Sequence, residues 1–347
     1  MTDTRRLLDA NANRAREALR VMEDAARFML NDHTLSAELK TLRHDLADAL
    51  ALLPDLVAHR NTPGDVGTTI TTEAEARRDD PLGVAVAAGK RLSEALRSLE
   101  EFGKLTDAGP TFAARIEALR YRGYDLESRL VARLTGPNPH AWRLCVLITQ
   151  SLCTHHDWLD VARQSIDAGA DCIQLREKDL TDERLHAAAL SLVTLADRTD
   201  TGCAVIVNDR PDIALAAGAH GVHLGQHDLS IQQVRRIAGC RLLVGISTHN
   251  LDEAALAVDA GADYCGVGAV FATPTKDRTP AGTDYVNQFV QTHPHTPHLA
   301  IGGITPENIT EVIEAGASAV AVSACVCGAQ DPAHVVKQLL DALPTQA

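Results

Sequence analysis

The 347-residue chain has few aromatic side chains and fewer basic than acidic ones. Aromatic residues make up 3%, so the cores must be built mainly from aliphatic side chains. With 33 Lys and Arg against 46 Asp and Glu, the formal net charge is −13. This balance argues against a surface that binds nucleic acid or an anionic membrane. We therefore expect no nucleic-acid partner and no membrane partner.

Long apolar runs and paired cysteines are also missing. No uninterrupted apolar segment approaches the ~20 residues that span a bilayer, and the first residues lack the apolar core of a secretion signal. The 8 cysteines include no Cys-x-x-Cys pair. Six of them fall in or beside strand-like runs: Cys145, Cys172, Cys203, Cys240, Cys265 and Cys325. Buried, reduced thiols in a cytoplasmic protein are the expectation.

A Gly- and Pro-containing segment at 135–140 separates two parts of different pattern. In the first part, apolar residues recur at three- and four-residue spacing, which predicts helices. These helices cover 5–30, 33–52, 83–105 and 111–134. In the second part, strand-like runs alternate with helical stretches. We therefore predict an all-α domain over 1–136 of uncertain role and an α/β domain over 137–347.

The second part has the pattern of a parallel barrel. Its strand-like runs are 143–149, 172–176, 203–208, 220–224, 242–247, 263–268, 298–303 and 318–323. An Ala-Gly-Ala motif stands at four predicted helix ends, starting at Ala168, Ala217, Ala260 and Ala315, where glycine supplies a left-handed stop. Eight such units predict a TIM (β/α)8 barrel. An open doubly wound sheet is the alternative, although no Gly-x-Gly-x-x-Gly follows the first run.

The helical part contains an internal repeat. Residues 17–24, Glu-Ala-Leu-Arg-Val-Met-Glu-Asp, recur as Glu-Ala-Leu-Arg-Ser-Leu-Glu-Glu at 94–101. At helical spacing, the charges of each segment follow one stripe and permit ion pairs. A solvated face or an interhelical salt-bridge layer is the favoured interpretation, and a polar ligand site is the alternative. The loop at 60–68 contains glycines that could present amides to an anion.

Polar residues concentrate where the predicted barrel strands end, which is the face that carries active sites in this fold. After the second strand, alternation places Gln174, Arg176 and Lys178 on one side, with Leu175 and Glu177 on the other. An amide and two cations at a buried strand end are costly unless an anion meets them. The segment therefore predicts an anion site, and Glu177 is interpreted as structural.

Two carboxylates follow the next strands. Asp209 comes after Asn208 at the third strand end, and Asp228 follows the fourth. Each could instead cap the helix that follows it. Set beside Arg176, Lys178 and Lys276, however, the pair favours a magnesium–diphosphate site, because Mg²⁺ takes one or two carboxylates together with substrate phosphates.

A second anion site is predicted at strands seven and eight, where loop amides often bind phosphate in this fold. Gly302-Gly303 and Val322-Ser323 end these strands. Thr273 and Thr275, in the loop after strand six, lie between the two sites in sequence; a simple polar loop around Pro274 is the alternative. His223 is interpreted as a packed, hydrogen-bonded histidine, with a metal ligand as the alternative.

Taken together, six segments resemble the thiamine-phosphate synthase family over about 140–345. They are Gln174–Lys178, Asn208-Asp209, His223–Asp228, Gly245–Ser247, Thr273–Lys276 and Ile301–Ile304. The resemblance implies a transferase of thiamine biosynthesis. It would join 4-amino-2-methyl-5-hydroxymethylpyrimidine diphosphate to a free or carboxylated thiazole phosphate and release diphosphate. The implied partners are these small molecules; a homo-oligomer is a further hypothesis.

The resemblance also implies roles for single residues. Diphosphate would be held by Arg176, Lys178, Asn208 and Lys276, magnesium by Asp209 and Asp228, and the pyrimidine by Gln174 and Ser247. The thiazole phosphate would be received by Thr273, Thr275, Gly303, Val322 and Ser323. Arg176, Lys178, Lys276 and Ser247 would be catalytic, through a dissociative, magnesium-assisted mechanism.

Two positions depart from the family pattern, which usually has proline where this chain has Ala269 and Ala272. A thiazole tautomerase and a non-catalytic phosphate-binding barrel are the alternatives for the second domain. The helical part resembles an extension found upstream of some bacterial thiamine-phosphate synthases. It is interpreted as an assembly module or a pyrimidine kinase, although it has no Walker-type phosphate loop.

Overall fold

A computed structural model of the chain describes residues 2–30, 32–65, 78, 80–199, 201–272 and 280–344. It separates into two compact units that divide between Gly136 and Pro137. No helix among the described residues is long and apolar enough to cross a membrane.

The first unit is built from four helices around one aliphatic core. They are α1 (Thr2–Phe28), α2 (His33–Leu50), α3 (Pro81–Gly103) and α4 (Gly109–Thr135), and a short 3-10 helix spans Leu56–His59. The buried side chains are mainly Leu and Ala on one face of each helix. Each helix buries a stripe that it cannot bury alone, so the packing of the four stabilises the unit.

The repeated charged segment forms the interhelical salt-bridge layer that its spacing indicated. Glu23 on α1 pairs with Arg43 on α2 at 3.1 Å, and Glu100 on α3 pairs with Arg120 on α4 at 2.8 Å. In each copy the acidic residue also contacts the arginine three positions before it. Both glutamates are buried, so these pairs join the two helices of each hairpin in equivalent ways.

The second unit is a closed barrel of eight parallel strands in sequence order, which confirms the predicted TIM fold. The strands are β1 (Leu144–Ile148), β2 (Cys172–Leu175), β3 (Ala204–Asn208), β4 (Gly221–Leu224), β5 (Leu243–Thr248), β6 (Tyr264–Gly268), β7 (His298–Ile301) and β8 (Val320–Val322). β8 pairs with β1 and closes the barrel. The four-residue runs are short, but every strand is hydrogen-bonded on both sides.

Helices surround this barrel on its outer face. They are α5 (Trp158–Asp167), α6 (Asp182–Thr199), α7 (Pro211–Ala217), α8 (Ile231–Ala238), α9 (Leu251–Asp259), α10 (Gly282–Thr292), α11 (Ile309–Glu314), α12 (Ala324–Cys327) and α13 (Pro332–Ala342). The glycine of each Ala-Gly-Ala motif has a positive φ; at Gly218, which ends α7, it is 71°. A left-handed residue ends each of these helices, because only glycine adopts that conformation without cost.

Side-chain alternation along the strands separates two cores. Leu144, Val146 and Ile148 of β1 face the helices, whereas Cys145 and Leu147 face the barrel interior. The interior also contains Trp142 and Tyr264, packed edge to face with ring centroids 5.1 Å apart. All eight cysteines are free thiols, as expected, although Cys153, Cys240 and Cys325 are only partly buried. The interior is therefore filled below the carboxyl ends of the strands.

Candidate active site

A cavity of about 290 Å³ opens at the carboxyl ends of the strands. Side chains or backbone from β2 to β8 line it. Seven of the residues predicted from the sequence are among them: Gln174, Arg176, Asn208, Ser247, Gly303, Val322 and Ser323. Residues separated by up to about 150 positions in the chain therefore meet around one space, because parallel strands in a barrel all end on the same face.

The end of β2 is held by hydrogen bonds to the neighbouring β1 segment. Arg176 N donates to the Ile148 carbonyl at 2.9 Å, and Thr149 Oγ1 donates to the Arg176 carbonyl at 3.0 Å. Glu177 accepts a hydrogen bond from the backbone N–H of Gln150. Glu177 therefore fixes the backbone from the side opposite the cavity, which supports its structural interpretation.

Three polar side chains at this rim have no hydrogen bond to another described residue. Gln174 and Asn208 are only 3% and 8% exposed, and both line the cavity. The half-buried Arg176 guanidinium is within salt-bridge distance of no described carboxylate. Buried polar groups are normally satisfied, so these three side chains are available to a polar, anionic ligand.

Two carboxylates lie beside one another at the rim. Burial raises the pKa of Asp209 to about 6, with a further contribution from the adjacent Asp228 carboxylate. Asp228 Oδ2 accepts a hydrogen bond from Gly225 N at 2.6 Å. Lys178 Nζ lies 3.9 Å from Asp209 Oδ2. Two carboxylates that repel each other at low solvent exposure form a site where a cation would be favourable.

The alternative interpretation of these carboxylates as helix caps is wrong. Residue Arg210 is the N-cap position of α7, and Ser230 is the N-cap of α8 and forms a capping box with Gln233. Asp209 instead has a left-handed backbone, with φ 62°, and its N–H donates to the His223 carbonyl at 2.8 Å. This backbone conformation is costly for a residue other than glycine, and it places the carboxylate beside Asp228.

The ends of β7 and β8 form the opposite wall. Gly303 has φ 66°, and a Cβ there would lie 2.7 Å from the Ala272 carbonyl oxygen. Asn308 Nδ2 donates to the Gly303 carbonyl at 2.9 Å and fixes this turn. Ser323 Oγ donates to the Leu147 carbonyl at 2.9 Å. The chain therefore approaches the cavity here with backbone rather than bulky side chains.

Comparison with known proteins adds the deciding observation. The family profile described as thiamine monophosphate synthase matches residues 144–326, and that of the ThiD2 family matches 6–129. The thiamine-phosphate synthase of Synechocystis sp. is 42% identical over 97% of this chain and 96% of its own, and that of Rhodopirellula baltica 38% over 98% and 93%. The chain belongs to the thiamine-phosphate synthase family. The predicted transferase of thiamine biosynthesis is thereby confirmed.

A solved structure of the thiamine-phosphate synthase fold agrees with the barrel. Thiamine phosphate pyrophosphorylase from Pyrococcus furiosus is 31% identical, with a TM-score of 0.54. The match covers 59% of this chain and 96% of that one. In contrast, the relatives from Synechocystis and Rhodopirellula match nearly the whole chain, so the upstream helices are shared with full-length synthases.

Part of the predicted site of this synthase lies outside the described residues, namely Thr273, Thr275 and Lys276. The two positions where the chain departs from the family pattern do lie within them. Ala269 and Ala272 line the cavity, and the Ala269 carbonyl accepts a hydrogen bond from Ala281 N at 2.7 Å. The loop is therefore closed by its own backbone on either side of 273–279.

The structure of the synthase also brings in residues that the sequence interpretation missed. His249 and Thr305 line the cavity, and Glu253 Oε2 contacts His249 Nδ1 at 2.7 Å. Their positions just after β5 and β7 were a signal that could have found them. His223 is packed and hydrogen-bonded as interpreted, with Nε2 2.9 Å from Ser247 Oγ. Among the described parts of the chain, no group of three or more His, Cys, Asp and Glu could hold a metal ion.

Proposed function

We propose that the barrel joins 4-amino-2-methyl-5-hydroxymethylpyrimidine diphosphate to a thiazole phosphate, free or carboxylated, and releases diphosphate. One observation carries the proposal. Gln174, Asn208 and Arg176 face a single cavity without protein partners, beside the carboxylates of Asp209 and Asp228. This arrangement supplies amides for a heterocycle and a cation for phosphate oxygens, and it supplies ligands for a hard metal ion.

The rim between β2 and β4 would hold the diphosphate. Arg176 can bind two phosphate oxygens through its planar guanidinium, and Lys178 adds a point charge. Asn208 would donate from its amide, and Lys276 completes the set in this proposal. These groups stabilise negative charge as it develops on the leaving diphosphate.

Asp209 and Asp228 would hold Mg²⁺. Their chemistry fits the ion, because Mg²⁺ prefers oxygen ligands and usually keeps waters and substrate phosphates in its remaining positions. The raised pKa of Asp209 also shows that its ionised form lacks a close compensating charge. When bound, Mg²⁺ would neutralise charge on the diphosphate and orient it.

The remaining predicted residues would position the two heterocycles. Gln174 and Ser247 would orient the pyrimidine through hydrogen bonds. Gly303, Val322 and Ser323 would receive the thiazole phosphate, partly through backbone amides, together with Thr273 and Thr275. Two subsites on opposite walls of one cavity would bring the thiazole nitrogen to the reacting carbon of the pyrimidine.

The proposed mechanism is dissociative. The bond between the pyrimidine methylene carbon and the diphosphate oxygen breaks first, and its electron pair leaves with diphosphate. The thiazole nitrogen then donates its lone pair to the resulting carbocation. No protein nucleophile or general base is needed, so the residues act by positioning and by stabilising charge.

The test is product formation by the full chain. Incubation with both heterocyclic phosphates and Mg²⁺ should give thiamine phosphate and one equivalent of diphosphate, and chelation of divalent metal should stop it. Absence of product from well-folded protein would contradict the proposed reaction. Binding of both substrates without release of diphosphate would instead support a non-catalytic barrel. Turnover of a thiazole carboxylate without the pyrimidine would support a tautomerase.

For the helical unit, 1–136, we propose a separate domain that serves as an assembly module. Its buried ion pairs lie within the helix bundle, where they are occupied by one another. A pyrimidine kinase is the second candidate, supported by the match to the ThiD2 family. The mass of the full chain, and of a chain lacking 1–136, would separate these possibilities. A monomeric full chain that phosphorylates the pyrimidine precursor excludes the assembly role, whereas a mass that falls from oligomer to monomer on truncation supports it.

We also propose that the enzyme works in the cytoplasm. Its eight free cysteines suit a reducing compartment. Thiol titration of protein taken directly from cells would test this, since any disulfide would contradict it.

A further inference from the structure

Three polar side chains form a continuous hydrogen-bonded chain from the barrel interior to the cavity. Tyr264 Oη lies 3.1 Å from His223 Nδ1, and His223 Nε2 lies 2.9 Å from Ser247 Oγ. Tyr264 is 1% exposed and His223 is 8% exposed. Ser247 is half-buried and lines the cavity. The chain therefore connects a phenol below the cavity to a hydroxyl at its surface.

The neighbouring strands leave room for these two rings. A Cβ on Gly245 of β5 would lie 2.1 Å from Tyr264 Cζ, and a Cβ on Gly266 of β6 would lie 3.0 Å from His223 Cε1. Trp142 packs against the other side of Tyr264 at 5.1 Å between centroids. Any side chain at Gly245 would displace the phenol, so its place beside the imidazole depends on that glycine.

The direction of the hydrogen bonds follows from the phenol. Burial raises the pKa of Tyr264 well above its usual range, so the hydroxyl keeps its proton. Among the described residues, His223 Nδ1 is the only hydrogen-bond partner of this hydroxyl. A buried O–H donor that is left unused is costly, so it donates to Nδ1. The imidazole proton then lies on Nε2 and is donated to Ser247 Oγ.

We propose that Tyr264 and His223 are positioning residues that make Ser247 a hydrogen-bond donor to the pyrimidine substrate. Because Ser247 Oγ accepts from the imidazole, its own proton is directed into the cavity. There it would meet an acceptor atom of the pyrimidine or of its diphosphate ester. Without the phenol, either ring nitrogen can carry the proton, and Ser247 is free to donate back to the imidazole. This inference rests on the proposed role of Ser247.

A double-mutant cycle tests the relay. Tyr264→Phe removes only the hydroxyl and keeps the ring packed on Trp142. We expect it to lower kcat/KM for the pyrimidine diphosphate by about tenfold, as for the loss of one oriented hydrogen bond. In the Ser247→Ala background, the same change should cost less than about twofold, because contacting residues that act through one another are not additive. Equal losses in the two backgrounds would overturn the proposal.

The matched control is Tyr285→Phe. The Tyr285 hydroxyl is also buried and donates to Thr248 Oγ1 at 2.7 Å, but Tyr285 lies on α10 on the outer side of the barrel. Its loss should lower stability and leave kcat/KM unchanged. A tenfold loss in this variant as well would mean that any buried phenol lowers activity through packing, and would contradict a specific relay.

A second readout does not depend on turnover. In protein labelled with ¹⁵N-histidine, the His223 signals, assigned by their absence in His223→Gln, should show the Nε2–H form. Tyr264→Phe should shift them toward a mixture of both tautomers. An Nδ1–H form in the unaltered protein would overturn the proposal even if the variants do not fold. If the tautomer is as expected but Ser247→Ala leaves turnover unchanged, the proposed role of Ser247 fails and the inference fails with it.

Discussion

Replacing Asp209 by Asn should stabilise the ligand-free barrel and at the same time impair the enzyme. The carboxylate faces Asp228 at low exposure, and its raised pKa means that the ionised form is unfavourable in the folded state. Asparagine has the same shape and tolerates the left-handed φ of 62° at this position. The substitution therefore removes the charge without new backbone strain.

The size of the effect follows from the pKa. In the folded protein the pKa of Asp209 is raised from its ordinary value of 3.8 to about 6. One unit of pKa corresponds to about 1.4 kcal/mol, which gives at most ~3 kcal/mol. The side chain is 31% exposed, and solvent screening reduces this to ~1–2 kcal/mol. Loss of the long contact with Lys178 subtracts little, because that ion pair is exposed.

The sign also sets a pH dependence. The folded state holds the Asp209 proton more tightly than the unfolded state, so stability falls as pH rises between about 4 and about 6. Above about pH 7 the loss is complete. The difference between Asp209→Asn and the unaltered protein should therefore grow from pH 5 to pH 7 and then stay constant.

Urea unfolding followed by tryptophan fluorescence is the appropriate assay. Both tryptophans, Trp142 and Trp158, belong to the barrel unit, so the signal reports that unit alone. Measurements are made without divalent metal at pH 5 and pH 8. Mg²⁺ with diphosphate should then stabilise the unaltered protein more than Asp209→Asn, and turnover of the variant should fall by ~100-fold or more.

Asp212→Asn is the matched control. Asp212 pairs with Arg210 on the surface, and hydrogen bonds from that arginine lower the pKa of the carboxyl. The substitution should destabilise slightly and leave turnover unchanged. The reasoning is refuted if Asp209→Asn is less stable than the unaltered protein at pH 8 without metal, or if the difference is the same at both pH values.

Two further predictions concern single charged residues. Arg176→Ala should lower kcat/KM by ~100-fold or more without changing the urea midpoint, because the side chain has no described protein partner; an unchanged kcat/KM would remove it from the site, and the exposed Arg163→Ala is the control. Glu100→Gln should destabilise the helical unit by ~3 kcal/mol, since it leaves the buried Arg120 charge without its counter-ion. Amide hydrogen exchange of α3 and α4 measures this, and an effect no larger than that of the exposed Arg122→Ala would contradict it.

Much of the fold was accessible from local pattern. The eight barrel strands and the four upstream helices lie within a few residues of the runs predicted, because apolar periodicity and the Ala-Gly-Ala stops are local signals. The repeated Glu-Ala-Leu-Arg segment likewise predicted a salt-bridge layer. It could not identify the partners Arg43 and Arg120, because they depend on how the helices pack.

The functional residues divide in the same way. The sequence by itself determined the family, the barrel and the polar strand ends, because each is encoded in contiguous residues such as Gln174–Lys178. Tertiary structure alone decided which of these side chains share a cavity, that Asp209 lies against Asp228 rather than capping a helix, and that Tyr264 reaches Ser247 through His223. These facts depend on distances between different strands, and closure of the barrel sets those distances.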